Sequence, residues 1–453
     1  MDLPGVQCFS IIEVLTHTKS FAMTARQRNF LFAGLMFIAF AAAAYKIYSR
    51  PPPAAFAVPA TQVLPKVQPP GTDAAPVFQA QFVSSNPGQA VHAPSIVELK
   101  DGSLRAVWFS GSREGAGDVT VQTAVLNMTS RQWGAESSLF DRTQLQRGLW
   151  RYVKKIGNPV VARAPDGSLH LWMVNVSLGG WAGSAITWLR SVDDGTTWST
   201  PRRLVTSPFL NISTLVKAAP VAMANGQISL PVYHEFITKF AEVLHIDASG
   251  RVLDKVRVPG SHTSLQPVVL ASSAQTAQAL MRATQGGQVV SSTTQNAGQT
   301  WSVATPIALP NPNSALAGVV LQDGSRWLAL NPTTQGREKL AWMRLNDAAN
   351  KVMLVEPPMQ NKKMASPLDL EDYAAVLGAE LKSKGVADLD IAAYVVSAQR
   401  QLCTGTRCAQ EFSYPFLLQS RDGTLHLVYT WHRTRIKHMR LDPSSGSDKS
   451  ASP

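Results

Sequence analysis

Asn158-Pro-Val-Val-Ala-Arg-Ala-Pro-Asp166-Gly-Ser-Leu169 reads as a polar residue and a proline, an apolar strand, an Asp-Gly turn and the start of a second strand. Asp-Gly between two apolar runs is the strongest short-range hairpin signal, because both central turn positions favour a positive φ. The phrase recurs along the chain. His92-Ala-Pro-Ser-Ile-Val-Glu-Leu-Lys-Asp101-Gly precedes it, and Ala219-Pro-Val-Ala-Met-Ala-Asn225-Gly and Gln266-Pro-Val-Val-Leu follow. Ser314-Ala-Leu-Ala-Gly-Val-Val-Leu-Gln-Asp323-Gly and Tyr414-Pro-Phe-Leu-Leu-Gln-Ser-Arg-Asp422-Gly complete the set. Turns therefore fall near 101, 166, 225, 274, 323 and 422, about 50–65 residues apart except for the last gap, near 100. Each interval accommodates four short strands. No such unit buries a core alone, so the units must pack face to face around an axis. The expectation is an all-β, six-bladed β-propeller over about 77–443, with a small helical insertion in the last blade. An irregular β-sandwich with accidental Asp-Gly turns is the alternative.

The composition agrees. The 453 residues are 45% hydrophobic and 16% charged, which is globular rather than disordered. Lys plus Arg is 42 against 30 Asp plus Glu, a net charge of +12, which suggests an anionic partner. Three cysteines exclude a disulfide-framework fold.

Phe30 to Ala44 is an uninterrupted apolar run, extended through Tyr48 around Lys46. About 20 such residues span a bilayer core. A transmembrane signal-anchor helix is expected over 29–48, after a cytoplasmic segment 1–28 that carries Lys19, Arg26 and Arg28. A cleaved signal peptide ending near Ala55-Phe56-Ala57 is the alternative. Pro51-Pro52-Pro53 opens a Pro/Ala-rich linker, 49–76, and 444–453 reads as a disordered tail. The propeller would lie on the periplasmic or extracellular side of a cell inner membrane crossed once by this chain.

The long last gap holds the insertion, about 362–410. Ser366-Pro367-Leu368-Asp369 reads as an N-cap, a proline at the first helical position and an acid in the first turn. Leu370, Tyr373, Val376, Leu377 and Leu381 recur at helical spacing, and a second helix is expected from Asp388 to about Gln401. Cys403 and Cys408 could form a disulfide outside the cytoplasm.

Ser191-Val-Asp193-Asp-Gly195-Thr-Thr-Trp198 has the form Ser-x-Asp-x-Gly-x-Thr-Trp, and Thr294-Gln-Asn296-Ala-Gly298-Gln-Thr-Trp301 is a degenerate copy. The sequence resembles the sialidase-like Asp-box (BNR) repeat superfamily, nearest to its bacterial predicted neuraminidases. Asp-boxes are structural, so they bear on fold more than on function.

In a propeller, residues just before the innermost strand and just after the second strand line one axial pocket. Before the first strands stand His92, Asn158, Lys217, Gln266, Asn313 and Tyr414. After the second stand Ser110 to Glu114 (with Arg113), Asn175, His234-Glu235, Arg282, Asn331 and His432-Arg433. A polar, cationic ring suits a carboxylated sugar, which Arg binds bidentately. Arg433, Arg435, Lys437 and Arg440 form a basic tail expected to be a solvated strand face, with Arg433 nearest the pocket. The resemblance adds roles. Arg282 and Arg337 look like two of three carboxylate-binding arginines, and His92-Ala-Pro stands where the first would be. Asp118 matches the flexible-loop acid/base. Phe412 stands where the nucleophilic Tyr belongs, and a Phe cannot attack an anomeric carbon. Tyr414 is the nearest hydroxyl, and Glu235 or Glu411 could replace the polarising Glu. His92 could supply positive charge if protonated.

The resemblance implies an exo-glycosidase acting on a terminal acidic sugar of an extracytoplasmic glycan, with Asp118, Glu235 and Tyr414 catalytic. A uronate lyase and a non-catalytic glycan-binding propeller are the alternatives. Acidic glycoconjugates are the expected partners. No metal or other cofactor is expected, and the sequence has no nucleic-acid-binding motif.

Overall fold

The computed structural model describes residues 24–48, 55–58, 79–127, 129–207, 211–345, 351–356 and 367–441. Most of the expected linker, residues 1–23, the start of the insertion and the tail lie outside them. Two units divide the chain, Met1–Pro52 and Pro53–Pro453. In the first, α1 (Ala25–Tyr48) begins four residues before the expected span, and by length and composition it could cross a membrane.

The second unit contains six antiparallel sheets of four or five strands and one small three-stranded sheet. The six begin on the strands Ala90–Glu98, Lys155–Arg163, Leu215–Val216, Ser264–Ala271, Ala317–Val320 and Phe412–Gln419. The sheets pack in chain order, the third meeting the fourth through Ile228–His234, and the sixth returns against the first. The arrangement is compatible with a β-propeller. Gln79–Phe82 pairs with Arg435–Leu441, so an early strand completes the last sheet. Ala93 N–H donates to Thr430 Oγ1 at 3.1 Å and Val91 N–H to Arg433 O at 2.9 Å across that seam.

The Asp-Gly phrase makes the hairpin between the first two strands. Asp101, Asp166 and Asp323 each accept the backbone N–H and hydroxyl of the serine two residues on. Gly102, Gly167 and Gly324 supply the positive φ, near 80–87°. The two Trp-ended motifs sit at matching places, between the third and fourth strands of the second and fourth sheets. Asp193 accepts from Ser191 Oγ and from Thr197 N–H and Oγ1, and Asn296 accepts from Thr294 Oγ1 and Thr300 N–H.

The insertion lies between the fifth and sixth sheets. Its first helix is capped by Asp369, which accepts from Asp372 N–H at 2.9 Å, three residues later than the sequence suggested. Leu368-Asp369 instead pairs as a strand with Arg407-Cys408. An additional helix, α2 (Arg142–Leu149), has a capping box from Asp141 and Gln144. The insertion helices are α3 (Leu370–Ser383) and α4 (Asp388–Leu402). Cys403 and Cys408 are disulfide-bonded. Within the expected linker, Ala55–Val58 docks on the sheets, with Phe56 2% exposed among Val243, Val258 and Trp301.

Candidate functional site

Four of the six inner strands carry a residue of left-handed backbone immediately before a proline. These are Ala93 (φ 52°), Asn158 (φ 44°), Gln266 (φ 52°) and Tyr414 (φ 53°). Pairing register shifts at the same four places. Proline brings no N–H to the ladder, and its Cδ disfavours a helical conformation in the residue before it. A bulge accommodates both and re-aims the pre-proline side chain. Strained backbone repeated around one ring marks a site. Asn158 Nδ2 donates to Tyr233 Oη at 3.3 Å, and Gln266 Nε2 lies 3.4 Å from both Tyr233 Oη and Tyr414 Oη. Asn313 has the same backbone (φ 55°) without the proline. Tyr233 is thus part of the ring, although sequence reading stopped at its neighbours His234 and Glu235. Its signal was strand alternation. His234 itself stacks on Phe240 at 4.5 Å.

The bulge also corrects the register. Ala93, not His92, takes the place of Asn158, Gln266 and Tyr414; His92 is equivalent to Gly157, Leu265 and Ser413. His92 still reaches the site, its ring 4.2 Å from that of Tyr414. Burial, and then Arg433, holds its pKa well below 6.5 against the opposing pull of Glu411. At neutral pH the imidazole is uncharged, so it does not replace a missing arginine. Among the described residues neither ring nitrogen has a hydrogen-bond partner.

The arginines are arranged around Glu411. Its Oε1 is 3.3 Å from Arg337 Nη1, and its Oε2 is 3.0 Å from Arg433 Nε. Ser413 Oγ adds a third donor at 2.5 Å. Burial would raise the Glu411 pKa, yet Arg433 and Arg337 bring it down to about 2. Glu411 therefore acts as a fixed anion that orients two guanidiniums. Arg433 also meets Glu114 at 3.4 Å, and Arg337 Nη2 donates to Asn313 O at 3.0 Å. Arg282 is held by neutral groups, with Nε on Asn313 Oδ1 at 2.8 Å and Nη1 on Gln266 Oε1 at 2.9 Å. Among the described residues no ion pair engages Arg282.

Lys217 is buried and donates to Pro415 O at 3.2 Å, with its ammonium over the rings of Tyr414 and Phe416. Burial brings its pKa down to about 7. Glu235 lies at the end of its strand, half-buried. Burial raises its pKa; Lys239 and Arg282 oppose the rise and Glu114 adds to it. Asn331, buried, donates to Phe412 O at 2.8 Å and is a structural tie.

Among the described residues no hydrogen bond or ion pair joins two expected residues, Asp118 and Arg113, to this cluster. Asp118 is exposed and accepts from Ser112 N–H at 2.9 Å and Ser112 Oγ at 3.0 Å. It shares its loop with Glu114. Arg113 is exposed with no ion pair among the described residues. The basic tail is not a solvated face. Arg435 is 6% exposed between the rings of Phe82 and Tyr394, and Lys437 is 5% exposed against Glu356 and Glu380. The insertion and the early strand cover what periodicity assigned to water. Phe412 is a core residue beside Trp431.

Further along the same strands lies a cavity of about 560 Å³ walled by Val97, Val161, Val268, Val319, Phe416 and Leu418. None of the expected site residues lines it, and the arginines at its rim, Arg163 and Arg421, are paired with Asp194 and Glu98. The groups able to do chemistry are at the bulged end. No set of three His, Cys, Asp or Glu side chains among the described residues is placed to hold a metal.

Comparison with known proteins agrees with this architecture. Residues 102–427 match the BNR repeat-like domain. A Hadza microbial sialidase superposes with a TM-score of 0.56 at 16% identity, over 79% of this chain and 66% of that one. The intramolecular trans-sialidase of Ruminococcus gnavus gives 0.55 at 11% identity, over 81% and 96%. The α-L-arabinanase of Penicillium chrysogenum gives 0.50 at 13%, over 81% and 99%. At these identities the likeness is one of fold. No curated protein matches the sequence. The chain belongs to the BNR repeat-like domain family.

Proposed function

We propose that the six sheets are the six blades of a propeller whose bulged end is a glycosidase site for a terminal acidic sugar. The observation that carries this reading is the set Arg337–Glu411–Arg433 with Arg282 beside it. One buried carboxylate fixes two guanidiniums, and among the described residues a third guanidinium has no ion-pair partner. Such a set offers a sugar carboxylate bidentate contacts at little reorganisation cost. Asn158, Gln266, Asn313 and Tyr414 are placed to take ring hydroxyls. Glu235 is the best candidate for proton transfer, since its raised pKa keeps a proton available nearer neutrality. Asp118 remains the second carboxylate of this proposal, brought in by movement of its loop. Sialidases and an arabinanase among the similar folds support glycoside hydrolysis as the reaction class.

The proposed setting is a membrane anchor through α1 with the propeller outside the cytoplasm, a compartment in which the Cys403–Cys408 disulfide persists. A binding-only reading is favoured by one observation: the Tyr414 hydroxyl meets Gln266 and no carboxylate. The deciding experiment is incubation of the full-length protein in detergent with an array of acid-terminated glycans. The proposal expects release of the terminal sugar and at least a hundredfold loss in both Glu235→Gln and Asp118→Asn. Saturable binding without product, or products absorbing in the near ultraviolet as unsaturated uronates do, would overturn hydrolysis in favour of binding or of a lyase.

A further inference from the structure

The hairpin that joins Leu425–Trp431 to Arg435–Leu441 turns through His432 (φ 49°) and Arg433 (φ 54°). Trp431 pairs with Arg435, so the loop has three residues, and two successive ones are left-handed, a conformation that favours Gly or Asn. Here neither position is glycine, so the turn stores strain that its surroundings must hold. One side is held by the site. His432 N–H donates to Glu411 O at 2.8 Å, and Arg433 Nε pairs with the Glu411 carboxylate.

The other side is held by the insertion. Tyr373 Oη, on α3, lies 2.8 Å from His432 Nδ1, and both residues are fully buried. The His432 ring stands edge-on to Tyr373, Phe412 and Trp431, at 5.5, 5.0 and 4.7 Å. Thr434 Oγ1 reaches Tyr394 O of α4 at 3.4 Å, and the Tyr394 ring stacks on Arg435. α4 touches the facing loop as well, where Gln401 Nε2 donates to Ser112 O at 3.2 Å, two residues from Glu114. The insertion thus contacts both loops whose Arg433 and Glu114 meet over the site.

We infer that the helical insertion is the scaffold that aims Arg433, with Tyr373 a positioning residue acting through His432. This rests on the proposed acidic-sugar site, because it gives Arg433 a purpose there. It also assigns a role to the insertion, in which no candidate site residue was expected. Tyr373→Phe keeps the ring in its packing and removes only the hydroxyl that fixes His432. The strained turn then relaxes and Arg433 leaves Glu411.

The test uses the full-length protein in detergent micelles, titrated with N-acetylneuraminic acid and with glucuronic acid, each against its carboxyl-reduced counterpart. The Arg433 Nε–H resonance is followed in parallel. Tyr373→Phe is expected to weaken the carboxylated sugar about five- to tenfold. It should leave the reduced sugar unchanged and shift the Nε–H signal toward that of a free guanidinium. Wild-type affinity together with an unshifted Nε–H signal overturns the inference. If Arg433→Ala binds every sugar as the wild type does, the anion-site reading fails. The Nε–H signal of Tyr373→Phe then decides the positioning role by itself. Should Tyr373→Phe fold poorly, Thr434→Val, which cuts the tie to Tyr394, is read in the same way.

Discussion

Glu411→Gln removes the only full negative charge shared by Arg337 and Arg433 while keeping the shape of the side chain. The carboxylate is 7% exposed and takes three donors at 3.3, 3.0 and 2.5 Å. Its pKa lies near 2 against an ordinary 4.5. At about 1.4 kcal/mol per pH unit that difference corresponds to about 3 kcal/mol of folding stability at neutral pH. Removing one partner of a buried ion pair costs about 3–5 kcal/mol, the same range. Because the folded pKa is depressed, the contribution is complete above about pH 5 and is lost as pH falls toward 2. The gap between wild type and Glu411→Gln should therefore be about 3 kcal/mol at pH 7 and shrink to less than half of that at pH 3. Urea unfolding followed by fluorescence of the 11 tryptophans measures it. With a slope near 3 kcal/mol/M, the midpoint should move by about 1 M at pH 7. Equal midpoints at pH 7, or a gap that does not change between pH 7 and pH 3, would refute the assignment of Glu411 as a buried anion between two guanidiniums.

Buried histidines set a second, higher acid limit. Burial holds His170 and His426 near 4 and His432 near 3, against an ordinary 6.5. The unfolded chain binds more protons between these values, so stability should fall from pH 6.5 to pH 4 with proton uptake on unfolding, measurable by calorimetry in buffers of different ionisation heat. Fewer than two protons taken up at pH 5.5 would contradict this. Gly195→Ala places a Cβ 2.9 Å from Arg105 Nε at φ 85° and should lower stability by about 1–2 kcal/mol in the same urea assay. Lys217→Met, which keeps the length and removes an amine held by Pro415 O, should leave folding within about 1 kcal/mol and shift the pH dependence of ligand binding near pH 7, read by titration.

The repeat was legible because the Asp-Gly-Ser turn is a local device: the Asp side chain bonds the next serine whatever surrounds it. The second insertion helix, expected from Asp388 to about Gln401, runs from Asp388 to Leu402. The axial bulge was not legible. A strand read by alternation puts His92 where Ala93 lies, since one extra residue at a proline inverts every following side chain. Arg435 and Lys437 alternate like a wet strand face, and only the chain that covers them, 79–82 and 367–409, makes them buried. The pairing of Glu411 with Arg433 spans strands whose facing is set by hairpin register, which residue types alone do not encode. The α2 capping box, Asp141-x-x-Gln144, was readable and passed over because it follows a strand pattern without a long apolar stripe.

The central claim is that Arg282, Arg337 and Arg433 form one anion-binding set at the bulged end of the axis. Calorimetric titration of the full-length protein with carboxylated sugars and their carboxyl-reduced counterparts tests it most directly. The account expects a carboxylated sugar to bind at least tenfold more tightly than its reduced form, with the preference abolished by Arg282→Ala. Equal affinity for the two forms, or a preference that survives Arg282→Ala, would contradict it.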